Sequence, residues 1–104
     1  MEIQFNTDKN IKGTENLTAP LSKMISEDLS RFADYITRVE VHLSDENGSK
    51  DGINDKRCLL EARMKGKQPI AVSNVAGSNK DAVKGAIEKL TASLDTIIGR
   101  LRNH

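Results

Sequence analysis

Tryptophan is absent from this chain, aromatic residues make up 3% of its 104 positions, and a single cysteine, Cys58, stands without a partner. A core built from such a chain has to be aliphatic, and an intramolecular disulfide framework is excluded. No apolar run approaches the roughly 20 residues that a membrane-spanning helix needs. The opening segment, Met1 to Lys9, has neither a basic start nor an apolar stretch, so no signal peptide is expected and the compartment expected is the cytoplasm.

Residues that carry chemistry are equally sparse. His42, Cys58 and His104 are scattered along the chain, whereas a metal site needs clustered ligands. His42 falls on the polar side of an alternating segment, and Cys58 reads as a small core residue. The loop from Asp45 to Asp55 is rich in carboxylates, but it lacks the calcium-loop spacing and no glutamate closes it. Gly66 and Gly77 are isolated, so no glycine-rich phosphate cradle is present. Glu27 and Asp28 sit together on a solvated stretch, which does not suit acid/base work. No enzyme activity and no cofactor are expected.

What is present is a regular alternation of periods. Residues 2–7 alternate with Ile3 and Phe5 on one side, which reads as a strand. A polar linker follows, from Asp8 to Asn16. Thr18 then reads as a helix N-cap with Pro20 in the first turn, and Leu21, Met24, Ile25, Leu29, Phe32 and Ile36 recur at helical spacing. Residues 37–44 alternate strictly, with Val39, Val41 and Leu43 inward and Arg38, Glu40 and His42 outward. Asn47-Gly48 and Asp51-Gly52 are turn dipeptides within a long loop. Residues 57–65 form the next strand, with Cys58, Leu60, Ala62 and Met64 on one face; on the other face, Leu59 hints at a contact surface. Gly66 to Pro69 turns the chain into a strand over 70–76. Ser78 and Asp81 have the spacing of a capping box, and the stripe Ala82, Val83, Ala86, Ile87, Leu90, Leu94, Ile97, Ile98 and Leu101 opens a long amphipathic helix. Arg100 and Arg102 suit the negative end of that helix.

The order β-α-β-β-β-α, with one apolar stripe per helix, predicts one α+β domain over residues 1–104. Its four-stranded sheet carries both helices on one face in two layers. The other sheet face is expected to be open, polar and mixed in charge.

Net charge is +1, but its distribution is uneven. Residues 1–55 hold six Lys/Arg against eleven Asp/Glu, or −5, and residues 56–104 hold ten against four, or +6. Such a split suits a basic half turned toward a polyanion, and it equally suits two halves that pair with each other. The basic set comprises Arg63, Lys65 and Lys67 around the third strand and its turn, then Lys80, Lys84 and Lys89 on the last helix. Lys80 and Lys84, four apart, share a helix face. Phosphates reward such residues without sequence reading. An ordinary solvated helix face would carry the same residues. With so few aromatics, a base-stacking platform is disfavoured relative to shape recognition of structured RNA.

Three segments carry a family likeness: Leu21 to Ile36, apolar and basic with an aromatic near its end; Val39-Glu-Val-His-Leu-Ser44; and Ala82-Val-Lys-Gly-Ala-Ile-Glu-Lys-Leu90, an alanine-rich helix start with an Ile-acid-Lys-Leu core. In their order and spacing they resemble the ribosome hibernation promoting factors, the ribosome-associated translation inhibitors also called sigma-54 modulation proteins. The short form, without the long forms' C-terminal dimerising domain, is the one it looks like. The resemblance implies a fold akin to double-stranded-RNA-binding domains. It also implies a cytoplasmic stress-response protein that binds the ribosomal RNA of the small subunit, fills the path of mRNA and tRNA, and represses translation by occlusion. Membranes and DNA are not expected partners. On this likeness Arg31 and Lys89 occupy commonly basic positions, and Lys80 and Lys84 face ribosomal RNA. The chain departs from the family pattern at Ser78-Asn-Lys80, Glu27-Asp28 and Thr91-Ala-Ser93. The alternative is a protein–protein module on the same fold, docking through its acidic first helix.

Overall fold

Strict alternation of apolar and polar residues produces the sheet. In the structure, a computed structural model, β1 (Glu2–Thr7), β2 (Ile36–Asp45), β3 (Lys56–Met64) and β4 (Ile70–Ala76) form one four-stranded sheet in the order β1-β2-β3-β4. The structure describes residues 1–9, 11, 13–46 and 56–102; the turn dipeptides at 47–48 and 51–52 lie outside the described residues. β1 runs parallel to β2, with Ile3 beside Val39 and Phe5 beside Val41. The other pairs are antiparallel, placing Val41 opposite Leu60 and Leu60 opposite Val72. This register puts Val39, Val41, Leu43, Cys58, Leu60 and Ala62 on one face, each buried.

That face is covered by α1 (Glu15–Asp28) and α2 (Asn79–Arg102). Leu21 and Ile25 of α1, Leu29 just beyond it, and Ala82, Val83, Ala86, Ile87, Leu90, Leu94 and Ile98 of α2 close an aliphatic core. Fully burying one such side chain contributes roughly 1.5–3 kcal/mol. The expected two-layer α+β arrangement is the observed one, and Cys58 is a core residue whose thiol burial pushes up to about 12, so it stays protonated and inert.

The first helix differs from expectation at both ends. It begins at Glu15, after Thr14, rather than after Thr18, and Pro20 lies inside it. Leu17 explains the earlier start. It sits four residues before Leu21 and seven before Met24, on the same stripe, and packs against the core. At the other end the helix stops at Asp28. Leu29 leaves helical geometry and a short 3₁₀ turn, Ser30–Phe32, carries Phe32 into the core. Ile36, read as the last helical anchor, is the first residue of β2. A register irregularity between Ile36 and Arg38 lets both Ile36 and Val39 point inward despite their odd spacing. Ile11, within the segment read as a polar linker, is buried in the core.

α2 starts as its cap predicts: the Asp81 N–H donates to Ser78 Oγ at 3.1 Å. On the helix's inner side, a Cβ at Gly85 would run into the Asn74 side-chain amide, so any larger residue there would have to displace that side chain. The Asn74 amide in turn donates to the Ala82 carbonyl at 3.3 Å.

Candidate nucleic-acid interface

The register of the sheet and the direction of α2 decide where each basic residue stands. β3 and β4 meet at the turn holding Lys65 and Lys67, both exposed, where the Lys65 N–H donates to the Tyr35 carbonyl. At the opposite end of the same pair, Lys56 stands opposite Ala76, and the chain passes from there through Ser78 into α2. Lys80 and Lys84 therefore lie at the far end of the domain from Lys65 and Lys67. The structure brings the basic residues together in pairs and does not gather all of them into one patch.

The open sheet face neutralises itself. Arg63 pairs with Glu40 at 3.2 Å and with Glu61 at 3.1 Å, and Arg38 approaches Glu40 at 3.7 Å. The hydrogen bond from Arg63, then the nearby Arg38 charge, hold the Glu40 carboxyl below the usual range. Arg63 thus stands in a charge network of its own sheet, which weakens it as a phosphate ligand.

Two more of the expected residues are engaged elsewhere in the molecule. Arg31, in the 3₁₀ turn, makes a bidentate pair with Asp95 of α2 at 2.7 and 3.0 Å, and its guanidinium lies 4.2 Å above the Phe32 ring. The bond to Asp95 raises the Arg31 pKa and lowers that of Asp95. Lys89 reaches over the sheet edge and donates to the Ser73 carbonyl at 2.8 Å, covering an acceptor that edge strand β4 would otherwise offer.

Lys65, Lys67, Lys80 and Lys84 remain. All four are exposed, and among the described residues no ion pair or side-chain hydrogen bond engages them. Lys80 and Lys84 also sit in the first turns of a long helix, where its dipole favours anions, although Asp81 shares that turn. Chemically, this pair can hold phosphates. Among the described residues no group of three or more His, Cys, Asp or Glu is placed to hold a metal ion, and no helix is long and apolar enough to cross a membrane.

A groove missed by sequence reasoning opens beside Lys80. It has a volume of about 400 Å³ and is lined by Asn16, Leu17, Pro20, Leu21 and Met24 of α1 and by Lys80 of α2. The signal that could have found it is the place of Leu17 on the α1 stripe, which carries the helix back one turn. A smaller hollow of about 250 Å³ lies at the other end of the helix pair, around Arg31, Tyr35 and Asp95. Because α1 begins beside the start of α2, and Arg31, past the end of α1, reaches Asp95, the two helices run parallel.

Comparison with known proteins follows the same lines. The family model described as sigma 54 modulation protein / S30EA ribosomal protein matches residues 6–102. The N-terminal domain of Thermus thermophilus Protein Y superposes with a TM-score of 0.73 at 16% identity, covering 93% of this chain and 99% of that one. A ribosomal subunit interface protein from Coxiella burnetii gives 0.69 at 16% identity, covering 95% and 99%. At that identity the two structures show a shared fold. No curated protein sequence matches the chain.

Proposed function

The chain belongs to the sigma 54 modulation protein / S30EA ribosomal protein family, and from that premise we propose that it is a ribosome-associated, RNA-binding protein of the cytoplasm. It occupies the mRNA and tRNA path of the small subunit and represses translation by steric occlusion. The observation that carries this reading is the family match across residues 6–102. The unpaired lysines Lys80 and Lys84 at the start of α2 support it, since they supply phosphate contacts that cost no internal ion pair. The mechanism makes and breaks no bond: a small rigid domain held by phosphates fills a channel that a substrate RNA must enter. Arg31, Arg63 and Lys89 contribute less to this surface than Lys80 and Lys84, because each already has an acceptor in its own fold.

Sedimentation with purified ribosomes through sucrose gradients, at low and moderate salt, tests the proposal. Co-migration with the small subunit that fades as salt rises is the expected result, because phosphate contacts release counterions. Binding that resists both salt and nuclease would replace this reading with a protein-docking one, for which the exposed acids Glu15, Glu27 and Asp28 of α1 would be the surface.

A further inference from the structure

At the end of the helix pair away from the groove, Arg31 and Asp95 form a clasp between the 3₁₀ turn and α2. Nη1 and Nη2 of Arg31 both donate to the Asp95 carboxylate, at 2.7 and 3.0 Å. Two parallel bonds to two oxygens of one anion are also how a guanidinium holds a phosphate. The two side chains are 58% and 51% exposed, and an ion pair so open to water adds little to stability. A second contact places the guanidinium without help from Asp95: it lies 4.2 Å above the ring of Phe32, which is buried in the core. Space adjoins the pair. Arg31, Tyr35, Asp95 and Gly99 share the lining of a hollow of about 250 Å³, and a Cβ at Gly99 would meet nothing within 4 Å. Among lining residues and their sequence neighbours, Arg31 and Arg100 stand against Asp34 and Asp95. Lys65, whose N–H donates to the Tyr35 carbonyl at 3.2 Å, tips this end of the domain toward positive charge.

We propose that this hollow is an anion site for an RNA phosphodiester with Arg31 as its ligand, and that Asp95 holds the site shut in the free protein as an intramolecular competitor. The inference rests on the RNA-binding reading above and deepens it by adding a second contact point whose strength the fold itself limits. β3, nine residues at about 3.3 Å each, separates this end from Lys80 and Lys84 by roughly 30 Å, so the two points touch different phosphates. A phosphodiester carries the same single charge as the carboxylate and accepts the same fork. As it approaches, Asp95 turns into water, while the Phe32 ring keeps the guanidinium in place. A lone carboxylate from a protein partner would only repeat what Asp95 already supplies. A run of phosphates also meets the exposed Lys65 and Lys67, which no ion pair engages among the described residues. The competitor lowers apparent affinity by the fraction of molecules in which Arg31 is open, about two- to sixfold for an exposed pair.

The test is a double-mutant cycle on the full chain: the unmodified protein, Asp95→Asn, Arg31→Gln and the two together, each titrated against purified small ribosomal subunits at one moderate salt concentration. Asp95→Asn should bind about two- to sixfold tighter, and the gain should vanish when Arg31→Gln is also present. An equal gain in both backgrounds would mean that Asp95 acts only through its long-range charge, and the clasp would be wrong. No gain at all, with a lower melting temperature for Asp95→Asn, would make the pair a structural staple and overturn the inference equally. In either of those cases salt-sensitive binding by the unmodified chain leaves the RNA-binding reading standing. If no protein of the set binds small subunits at any salt, the RNA-binding reading fails instead, and inorganic phosphate then decides the clasp. The Arg31 side-chain N–H signals, followed by NMR, should move at lower phosphate concentration in Asp95→Asn than in the unmodified chain. Signals that stay still in Asp95→Asn would show that the hollow is no anion site.

Discussion

The open face of the sheet and the first turns of α2 carry charges of the same kinds but hold them differently. On the sheet, cross-strand register places Arg63 beside Glu40 and Arg38 beside the same carboxylate, and the face closes on itself electrically. On α2, Lys80 and Lys84 form no ion pair among the described residues, although Asp81 shares their turn. A count of basic residues therefore overstates how many cations a polyanion would meet unpaired. Register, more than composition, decides which lysines and arginines a polyanion can reach.

Both regions stand on one core, and removing it should erase the difference between them. Leu90, fully buried beneath α2, is the lever. Leu90→Ala should cost about 2–5 kcal/mol in denaturant unfolding. Leu90→Asp should prevent folding, as seen by loss of the thermal transition in circular dichroism. The same logic holds for Leu29→Asp between α1 and the 3₁₀ turn.

The next largest effect sharpens the contrast. Reversing Lys80 and Lys84 to Glu should lower the slope of log ribosome affinity against log salt by about 2, close to one unit per lost phosphate contact. The melting temperature should hardly change, since neither side chain has a partner among the described residues. Arg63→Ala is the matched control on the sheet. It should leave ribosome affinity within about twofold, because a guanidinium occupied by Glu40 and Glu61 makes few phosphate contacts. A large loss from Arg63→Ala with little from the lysine pair would invert the comparison.

Acid gives the smallest effect and a direction. Glu40 and Asp95 both hold their protons less tightly folded than unfolded. Their contribution to stability is therefore complete above the ordinary carboxylate pKa and is lost as pH falls through the depressed folded values. The melting temperature should be flat near neutrality and decline below about pH 4. Glu40→Gln should shallow that decline, and an unchanged profile would show that the sheet network contributes nothing.

Much of the fold was legible before any coordinates. β4 matched its reading to the residue, β2 and β3 shifted by one residue at their ends, and Ser78 capped α2 as its spacing indicated. The departures lie in the first helix and its surroundings, and they have distinct causes. Between residues 15 and 36 the helical and strand periods overlap, so Ile36 satisfied the helix stripe while belonging to a strand with an irregular register. Proline favours the first turn of a helix, which points to a start near Pro20, whereas the half-buried Leu17 packs against the core and extends the helix ahead of it. The site was less legible than the fold. Arg31 with Asp95 and Lys89 with Ser73 join residues far apart in the chain, and nothing local in either segment announces the pairing.

The parallel pairing of β1 with β2 also sets an order of events. β2, β3, β4 and α2 follow one another as neighbours, and their contacts can form as the chain closes on itself. β1 finds its partner only after the chain has crossed the layer through α1, so its ladder closes a longer loop and pays a larger entropy of closure. In native-state hydrogen exchange, β1 and α1 should open at lower free energy than β3 and α2. A molecule in that partly opened state would still present Lys80 and Lys84 while having lost the α1 wall beside them. The lysine pair and the apolar groove beside it would then part company, and substitutions in the N-terminal third would alter the groove without touching the lysines.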